Sequence, residues 1–90
     1  MDAKQKRELE AHKETLDNSR DIFSNALSSI HDILNEVEET YEALSDKQKE
    51  SEKGIKLEAT KEALQEAIDA LSEIDDKISD IDTSLTTATE

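Results

Sequence analysis

The densest group of side chains that could do chemistry is a set of carboxylates near the C-terminal end of the chain. Asp75 and Asp76 are adjacent, and Asp80 and Asp82 follow shortly after them. An EF-hand loop binds calcium with oxygen ligands at alternating positions, a central glycine and a final glutamate. Here isoleucines with heptad spacing interrupt the group, and no glycine is present to turn the chain. We therefore expect these carboxylates to lie on a helix surface and to bind no metal.

The two histidines are the other candidate ligands or acid–base groups. Neither His12 nor His31 follows a glutamate by three residues, so the Glu-x-x-His motif of di-iron helical bundles is missing. Serines are plentiful, but no glycine-rich turn would expose one as a nucleophile or cradle a phosphate. With only Phe23 and Tyr41 as aromatic residues, no platform exists on which bases could stack. The sequence predicts no enzyme and no cofactor.

The composition favours helix and restricts the class of partner. The 90 residues include no proline, no cysteine and a single glycine, so β-turn signals and disulfide frameworks are both missing. The net charge of −13 disfavours direct binding to nucleic acid or to anionic membranes, because both need Lys and Arg. It favours a basic protein partner. High charge and few aromatics also make disorder the first alternative.

Targeting signals are not visible in the chain. No apolar run approaches the roughly 18 residues of a membrane span, and residues 1–20 contain no apolar core of a signal peptide. We therefore expect no contact with a membrane and a cytoplasmic location.

Two ladders of apolar residues with seven-residue spacing argue against disorder. Sustained heptads of this kind predict two amphipathic helices that pack as in a coiled coil. The first ladder is Leu9, Leu16, Phe23, Ile30, Val37 and Leu44, and the second is Leu57, Leu64, Leu71, Ile78 and Leu85. In the second half, the residues three positions after each ladder residue are expected to complete the apolar seam: Thr60, Ala67, Ile74, Ile81 and Ala88.

A polar segment without apolar side chains separates the two ladders at residues 45–54. Ser45 and Gln48 have the spacing of a capping box, which predicts a short turn of helix. Gly54 could lie in the first turn of the second helix, where it would cost about 1 kcal/mol relative to alanine, or end a helix in the connection. We expect one helical domain over residues 1–90, with helices at about 3–44 and 56–82, a bend at about 45–55 and a frayed tail at 83–90.

Folding at this bend predicts an all-α structure, a long antiparallel helical hairpin that is a two-helix coiled coil. Two helices of this size leave part of the apolar stripe in water, so we expect two hairpins to pair as a homodimeric four-helix bundle. A different protein that covers the same surface is the alternative. The apolar flank expected at this contact consists of Ala26, Ile33, Leu34, Ile68 and Ile74.

The negative charge is concentrated in two segments. Residues 21–45 contain six acids and no base, and residues 67–90 contain seven acids and one base. In a hairpin these segments overlap and form an acidic belt. The belt is either a solvated face that keeps the protein soluble, or a surface that imitates nucleic-acid phosphates and fills a basic groove. The residues predicted to bind a partner are Glu36, Glu38, Glu39, Glu42, Asp69, Glu73, Asp76 and Asp80.

The stretch from Tyr41 to Ile74, about a third of the chain, resembles small acidic helical-hairpin proteins of bacteriophage and prophage genomes. The resemblance lies in a polar loop that contains a glycine and in a following helix of the form Leu-x-x-Ala-Ile-Asp-x-Leu. The matching residues are Leu44, Ser45, Gln48, Ser51 and Gly54 in the loop and Leu64, Ala67, Ile68, Asp69 and Leu71 in the helix. The resemblance implies a viral origin and the cytoplasm of a host cell, but no site residues.

Small acidic phage proteins often block the nucleic-acid grooves of host defence proteins. By this analogy, we expect a non-catalytic inhibitor that covers a basic surface of a host protein by charge mimicry. The alternative is a structural or assembly coiled-coil protein that acts through its apolar stripe.

Overall fold

The computed structural model describes all residues from Met1 to Glu90 and confirms the all-α class. Three helices follow one another: α1 (Ala3–Glu42), α2 (Asp46–Glu50) and α3 (Glu52–Thr89), and there is no strand. The molecule is a rod that measures 68 × 15 × 14 Å. The 40 residues of α1 alone account for about 60 Å of its length at 1.5 Å per residue. None of the helices has both the length and the apolar character needed to cross a bilayer.

Capping boxes begin both α1 and α2. The Asp2 carboxylate accepts a hydrogen bond from the Gln5 backbone N–H at 2.8 Å, and the Gln5 side chain accepts one from the Asp2 N–H. The predicted box between Ser45 and Gln48 is confirmed, with the same reciprocal bonds at 3.2 and 2.9 Å. Each box satisfies two N–H groups that a helix start would otherwise leave without partners.

The junction between α2 and α3 depends on a glycine. Ser51 is extended and turns the chain, and its hydroxyl donates to the Gln48 carbonyl. Gly54 is buried in the first turn of α3 and has no positive φ, so the alternative that it ends a helix is wrong. A Cβ added to Gly54 would lie 2.5 Å from the Lys49 Cα and carbonyl carbon. The glycine therefore allows the backbone of α2 to lie against α3.

The interior is the contact between the two long helices. Near the beginning of α1, the Lys13 Nζ donates to the Thr86 hydroxyl at 2.7 Å, close to the end of α3. Near the end of α1, the Tyr41 ring lies 5.7 Å from the Lys61 Nζ, in the early part of α3. Only three apolar side chains are buried, and each keeps a few per cent of its surface exposed: Leu34, Ile68 and Ile78.

The burial pattern sets the heptad positions of both helices. We assign the ladder residues to position d and the residues four places later to position a, so that the letters e, f, g, b and c follow from these. In α3 the a residues have at most intermediate exposure: Lys61, Ile68, Asp75, Asp82 and Thr89. The expected seam at the g positions is wrong, since Ile74 and Ile81 remain 40% and 45% exposed. The true seam includes charged residues, which apolar periodicity does not reveal.

The ends of α3 also differ from expectation. The helix begins at Glu52 and continues to Thr89, so the expected frayed tail is helical. Leu85 continues the ladder into this segment, and the hydroxyls of Thr83, Thr86 and Thr87 donate to carbonyls four residues earlier. The hydrogen bond from the Lys13 Nζ to the Thr86 hydroxyl also holds this segment against α1, which the threonine-rich sequence does not predict.

Replacing Gly54 by alanine will destabilise the protein by about 1–3 kcal/mol, because the new methyl group would overlap the backbone of Lys49. In an exposed helix a Gly→Ala substitution stabilises the protein by roughly 1 kcal/mol. The sign of the change in stability therefore distinguishes a packed Gly54 from an exposed one. Urea unfolding followed by circular dichroism measures it. Lys53→Ala, at the exposed neighbouring position, is the control and should change stability by less than about 0.5 kcal/mol. A stabilising Gly54→Ala substitution would contradict the packing described above.

Candidate functional site

One long face of the rod is rich in acidic side chains and poor in basic ones. The e and b positions lie together on one side of the seam formed by a and d. From residue 10 to 42 and from 58 to 76, no Lys or Arg occupies these positions. We call their ten acids the acidic face: Glu10, Glu14, Asp17, Asp21, Glu38, Glu42, Glu58, Glu62, Asp69 and Asp76.

Two shallow grooves show that e and b residues of α1 and α3 share this face. The first is lined by Ser24 from α1 together with Ser72 and Asp76 from α3. The second also contains Ser24, with Asp17 and Asp21 beside it. Carboxylates from both helices therefore border one continuous surface, which is suited to binding cationic groups.

The predicted acidic belt is divided by this geometry. Four of its residues belong to the acidic face: Glu38, Glu42, Asp69 and Asp76. The other four, at f and c positions, lie on the outer surfaces of the two helices: Glu36, Glu39, Glu73 and Asp80. Sequence reasoning missed the six remaining members of the face, because it grouped acids by chain segment. Heptad lettering of both helices would have found them.

The base nearest to the acidic face is neutralised inside the seam. The Arg20 Nε donates to Asp75 Oδ1 at 3.0 Å, and Nη2 donates to Oδ2 at 3.3 Å. This hydrogen bond lowers the pKa of Asp75 and raises the pKa of Arg20. The charges of Asp75, Asp17 and Asp82 raise the Arg20 pKa further. Arg20 also lines the second groove beside Asp17 and Asp21, so it offsets part of the acidic-face charge there, although its hydrogen bonds go to Asp75.

Lysines close the acidic face at the end of the rod that contains α2. The Lys49 Nζ lies 3.6 Å from Glu42 Oε2 and 5.2 Å from the centre of the Tyr41 ring. Lys61 approaches the same ring from α3. Glu42 is consequently the one acidic-face residue with a cationic partner.

On the opposite side of the seam, the g positions from residue 12 to 40 and from 60 to 88 contain no Asp, Glu, Lys or Arg, and Lys53 is the charged g residue at the start of α3. We call the ten residues of these two ranges the uncharged flank: His12, Ser19, Ala26, Ile33, Thr40, Thr60, Ala67, Ile74, Ile81 and Ala88. In a chain with 39% charged residues, about four of ten positions would be charged if placement were random. Beside this flank, Ile22 at a c position is 66% exposed.

The apolar flank expected from the sequence is only partly exposed. Ala26, Ile33 and Ile74 lie at g positions and face solvent. Leu34 and Ile68 do not, since each is only 4% exposed between α1 and α3. Their a positions place them in the seam, so they are unavailable to another molecule. The sequence predicted both residues to be exposed, because an apolar stripe alone does not show which of its residues face the other helix and which face solvent.

His12 and His31 are both exposed, and no three His, Asp or Glu side chains converge in the geometry of a metal site. No protein family matches the chain, and no curated protein or solved structure shows a significant similarity to it. The resemblance to phage proteins therefore stays a prediction.

Asp75→Asn will lower the melting temperature at pH 7 more than Asp76→Asn does, because both changes remove one negative charge but only the first breaks the pair with Arg20. The folded-state pKa of Asp75 lies below its usual value near 3.8, so the pair stabilises the fold fully above that pH. This stabilisation is lost as the pH falls through the folded-state pKa.

Thermal unfolding at pH 7 and at about pH 2, well below the usual carboxylate pKa, measures the difference between the two variants. The gap at pH 7 should vanish in acid. Equal melting temperatures at pH 7, or a gap of the same size at both pH values, would show that the pair does not stabilise the fold.

Proposed function

We propose that the chain is an antiparallel helical hairpin that acts as a non-catalytic binding protein. Its acidic face covers a basic nucleic-acid-binding surface of a host defence protein, and the protein is a phage-encoded inhibitor that works in the host cytoplasm. The observation that carries this proposal is the run of ten acids without a base at the e and b positions. A homodimeric four-helix bundle is the proposed assembly.

The hairpin is supported by the order of the contacts between the long helices. Lys13 meets Thr86, and Arg20 meets Asp75 further along. A residue near the start of α1 thus contacts one near the end of α3, and the residue numbers change in opposite directions along the rod.

The energetic cost of the acidic face favours a binding role over simple solubility. Four pairs of its acids are spaced by four residues and lie one helical turn apart: Glu10 and Glu14, Asp17 and Asp21, Glu38 and Glu42, and Glu58 and Glu62. Each like-charge pair destabilises a helix by about 0.2–0.5 kcal/mol, so together they cost roughly 1–2 kcal/mol. Solubility requires only net charge, which acids interspersed with lysines would also provide without this repulsion.

Binding of this kind has a characteristic electrostatic signature. A groove that binds nucleic acid is lined with Lys and Arg, and carboxylates can pair with those groups as phosphates do. Exposed charge pairs are screened within about 8–10 Å at moderate salt. The affinity should therefore fall steeply with ionic strength, and duplex DNA should compete for the same partner surface.

The test is to capture partners from a bacterial lysate on the immobilised protein at low and high salt, and to purify the captured protein. Its binding is then measured for Glu38→Lys/Asp69→Lys/Asp76→Lys, which changes three acidic-face residues. Glu39→Lys/Glu73→Lys/Asp80→Lys is the matched control, because it changes the charge equally at f positions on the outer surfaces.

The first triple variant should bind at least about 100-fold more weakly, a loss of roughly 3 kcal/mol, and the control should bind nearly as the wild type does. Circular dichroism must show the same helicity for both. Equal affinities of the two variants, or a captured protein that duplex DNA does not displace, would rule out the proposed face.

The alternative function, a structural or assembly coiled-coil protein, is favoured by four exposed isoleucines on or beside the uncharged flank: Ile22, Ile33, Ile74 and Ile81. In that case Ile33→Asp would abolish partner binding, and reversal of the acidic face would have little effect. Ile68→Asp does not test the alternative, because Ile68 is buried and the change would unfold the hairpin.

A further inference from the structure

We infer that the uncharged flank is the contact surface for a second copy of this chain, with a twofold axis parallel to the rod. The inference rests on the proposed hairpin and on its proposed dimer. It adds which face is used, how the two copies are aligned, and that the assembly presents two acidic faces on opposite sides. Surface area, charge and side-chain size each support it.

The single chain exposes more surface than a compact protein of its size. Its accessible surface is 6628 Å², whereas a globular monomer of 10.1 kDa exposes about 5,300 Å². Only three apolar side chains are buried, which is a small core for an isolated domain. Burial of a further face would bring the accessible surface of the chain closer to that of a compact protein of the same mass.

Charge selects the face on which a second copy can pack. Each chain has a net charge of −13, so two copies repel one another strongly at most orientations. The uncharged flank is the one side of the seam where no acid or base would be brought against its counterpart. Contact there also keeps the acidic faces of the two copies apart, on the outside of the assembly.

Side-chain sizes along the flank are self-complementary under this symmetry. A twofold axis parallel to the rod places α1 against the partner's α3 at the same height, and these helices run in opposite directions. The contact between Tyr41 and Lys61 sets the height, because it places their neighbours Thr40 and Thr60 at one level.

Successive heptads then align an isoleucine of one copy with a small residue of the other at three of the five levels: Ile33 with Ala67, Ala26 with Ile74, and Ser19 with Ile81. The outer two levels pair Thr40 with Thr60 and His12 with Ala88. Alternation of large and small residues across facing positions is what allows helices to interdigitate. A second copy can therefore pack on the flank without placing two isoleucines against each other at one level.

The available area is sufficient for a stable contact. From residue 12 to residue 40 the flank is about 42 Å long at 1.5 Å per residue. With the rod's width of 15 Å, it offers about 600 Å² per copy. The total of about 1,200 Å² reaches the lower end of stable interfaces.

Sedimentation equilibrium from micromolar to millimolar concentration tests the association. The wild type should be a dimer, and Ile33→Glu/Ile74→Glu should be a monomer, because it places two carboxylates on the flank. Ile55→Glu is the control, since Ile55 is also exposed, at 61%, but lies at a b position. A monomeric wild type at every concentration, or a dimeric double variant, would overturn the inference.

Disulfide cross-linking tests the alignment without altering the isoleucines. The chain has no cysteine, so single variants Thr40→Cys and Thr60→Cys can be oxidised separately and after mixing. We expect a covalent dimer in the mixture and little in either variant alone. Cross-links within one variant, or none in a mixture that sedimentation shows to be dimeric, would exclude this symmetry.

The two proposals fail separately. The monomeric variant Ile33→Glu/Ile74→Glu still has a complete acidic face and should bind the captured partner, with reduced avidity only on a multivalent surface. Loss of dimer in the wild type with intact partner binding would reject the flank alone. Loss of salt-sensitive partner binding with an intact dimer would reject the proposed function alone.

Discussion

The packing of α1 against α3 along the a and d positions is the interaction on which the rest of the molecule depends. Its two halves differ in chemistry. Towards α2 the a positions hold Leu34 and Ile68, each only 4% exposed, followed by Tyr41 and Lys61, which contact each other. Towards the free ends they are charged or polar, and Arg20 and Asp75 pair across the seam. Charged residues at such positions reduce stability but define alignment, since a shift of one heptad would leave them unpaired.

Once the residues at the a and d positions are known, every other residue of α1 and α3 can be placed on one side of the seam or on the outer surface. The charge is then segregated more sharply than the composition shows, with acids and no base at most e and b positions and no charge on the uncharged flank. Lysines are displaced to the seam, to c positions such as Lys56 and Lys77, and to α2. A helix that used its charges for its own stability would alternate acids with lysines one turn apart. The acids at the e and b positions instead lack lysines one turn away, so their charges repel one another.

The sequence predicted the helices and the bend because ladder spacing and the box at Ser45 are local signals. The predictions were wrong where the environment of a residue depended on contacts with the other helix. Ile74 and Ile81 were predicted to lie in the seam because they are apolar, but they are exposed. Asp75, which is charged, lies at the seam because Arg20 of α1 donates a hydrogen bond to it. The need for a glycine at position 54 was also not predictable, because it arises from the close approach of the Lys49 backbone, five residues earlier in the chain. Half of the acidic belt was misplaced for the same reason.

A small core and a net charge of −13 predict that the two proposed contacts depend on salt in opposite ways. Contact between uncharged flanks is opposed by the repulsion between two chains of −13 each, so added salt should strengthen it by screening. Contact between the acidic face and a basic surface is driven by attraction, so the same salt should weaken it. A protein built with both surfaces on opposite sides of one seam separates these effects in space. Mutation of one surface therefore reports on that contact without altering the other.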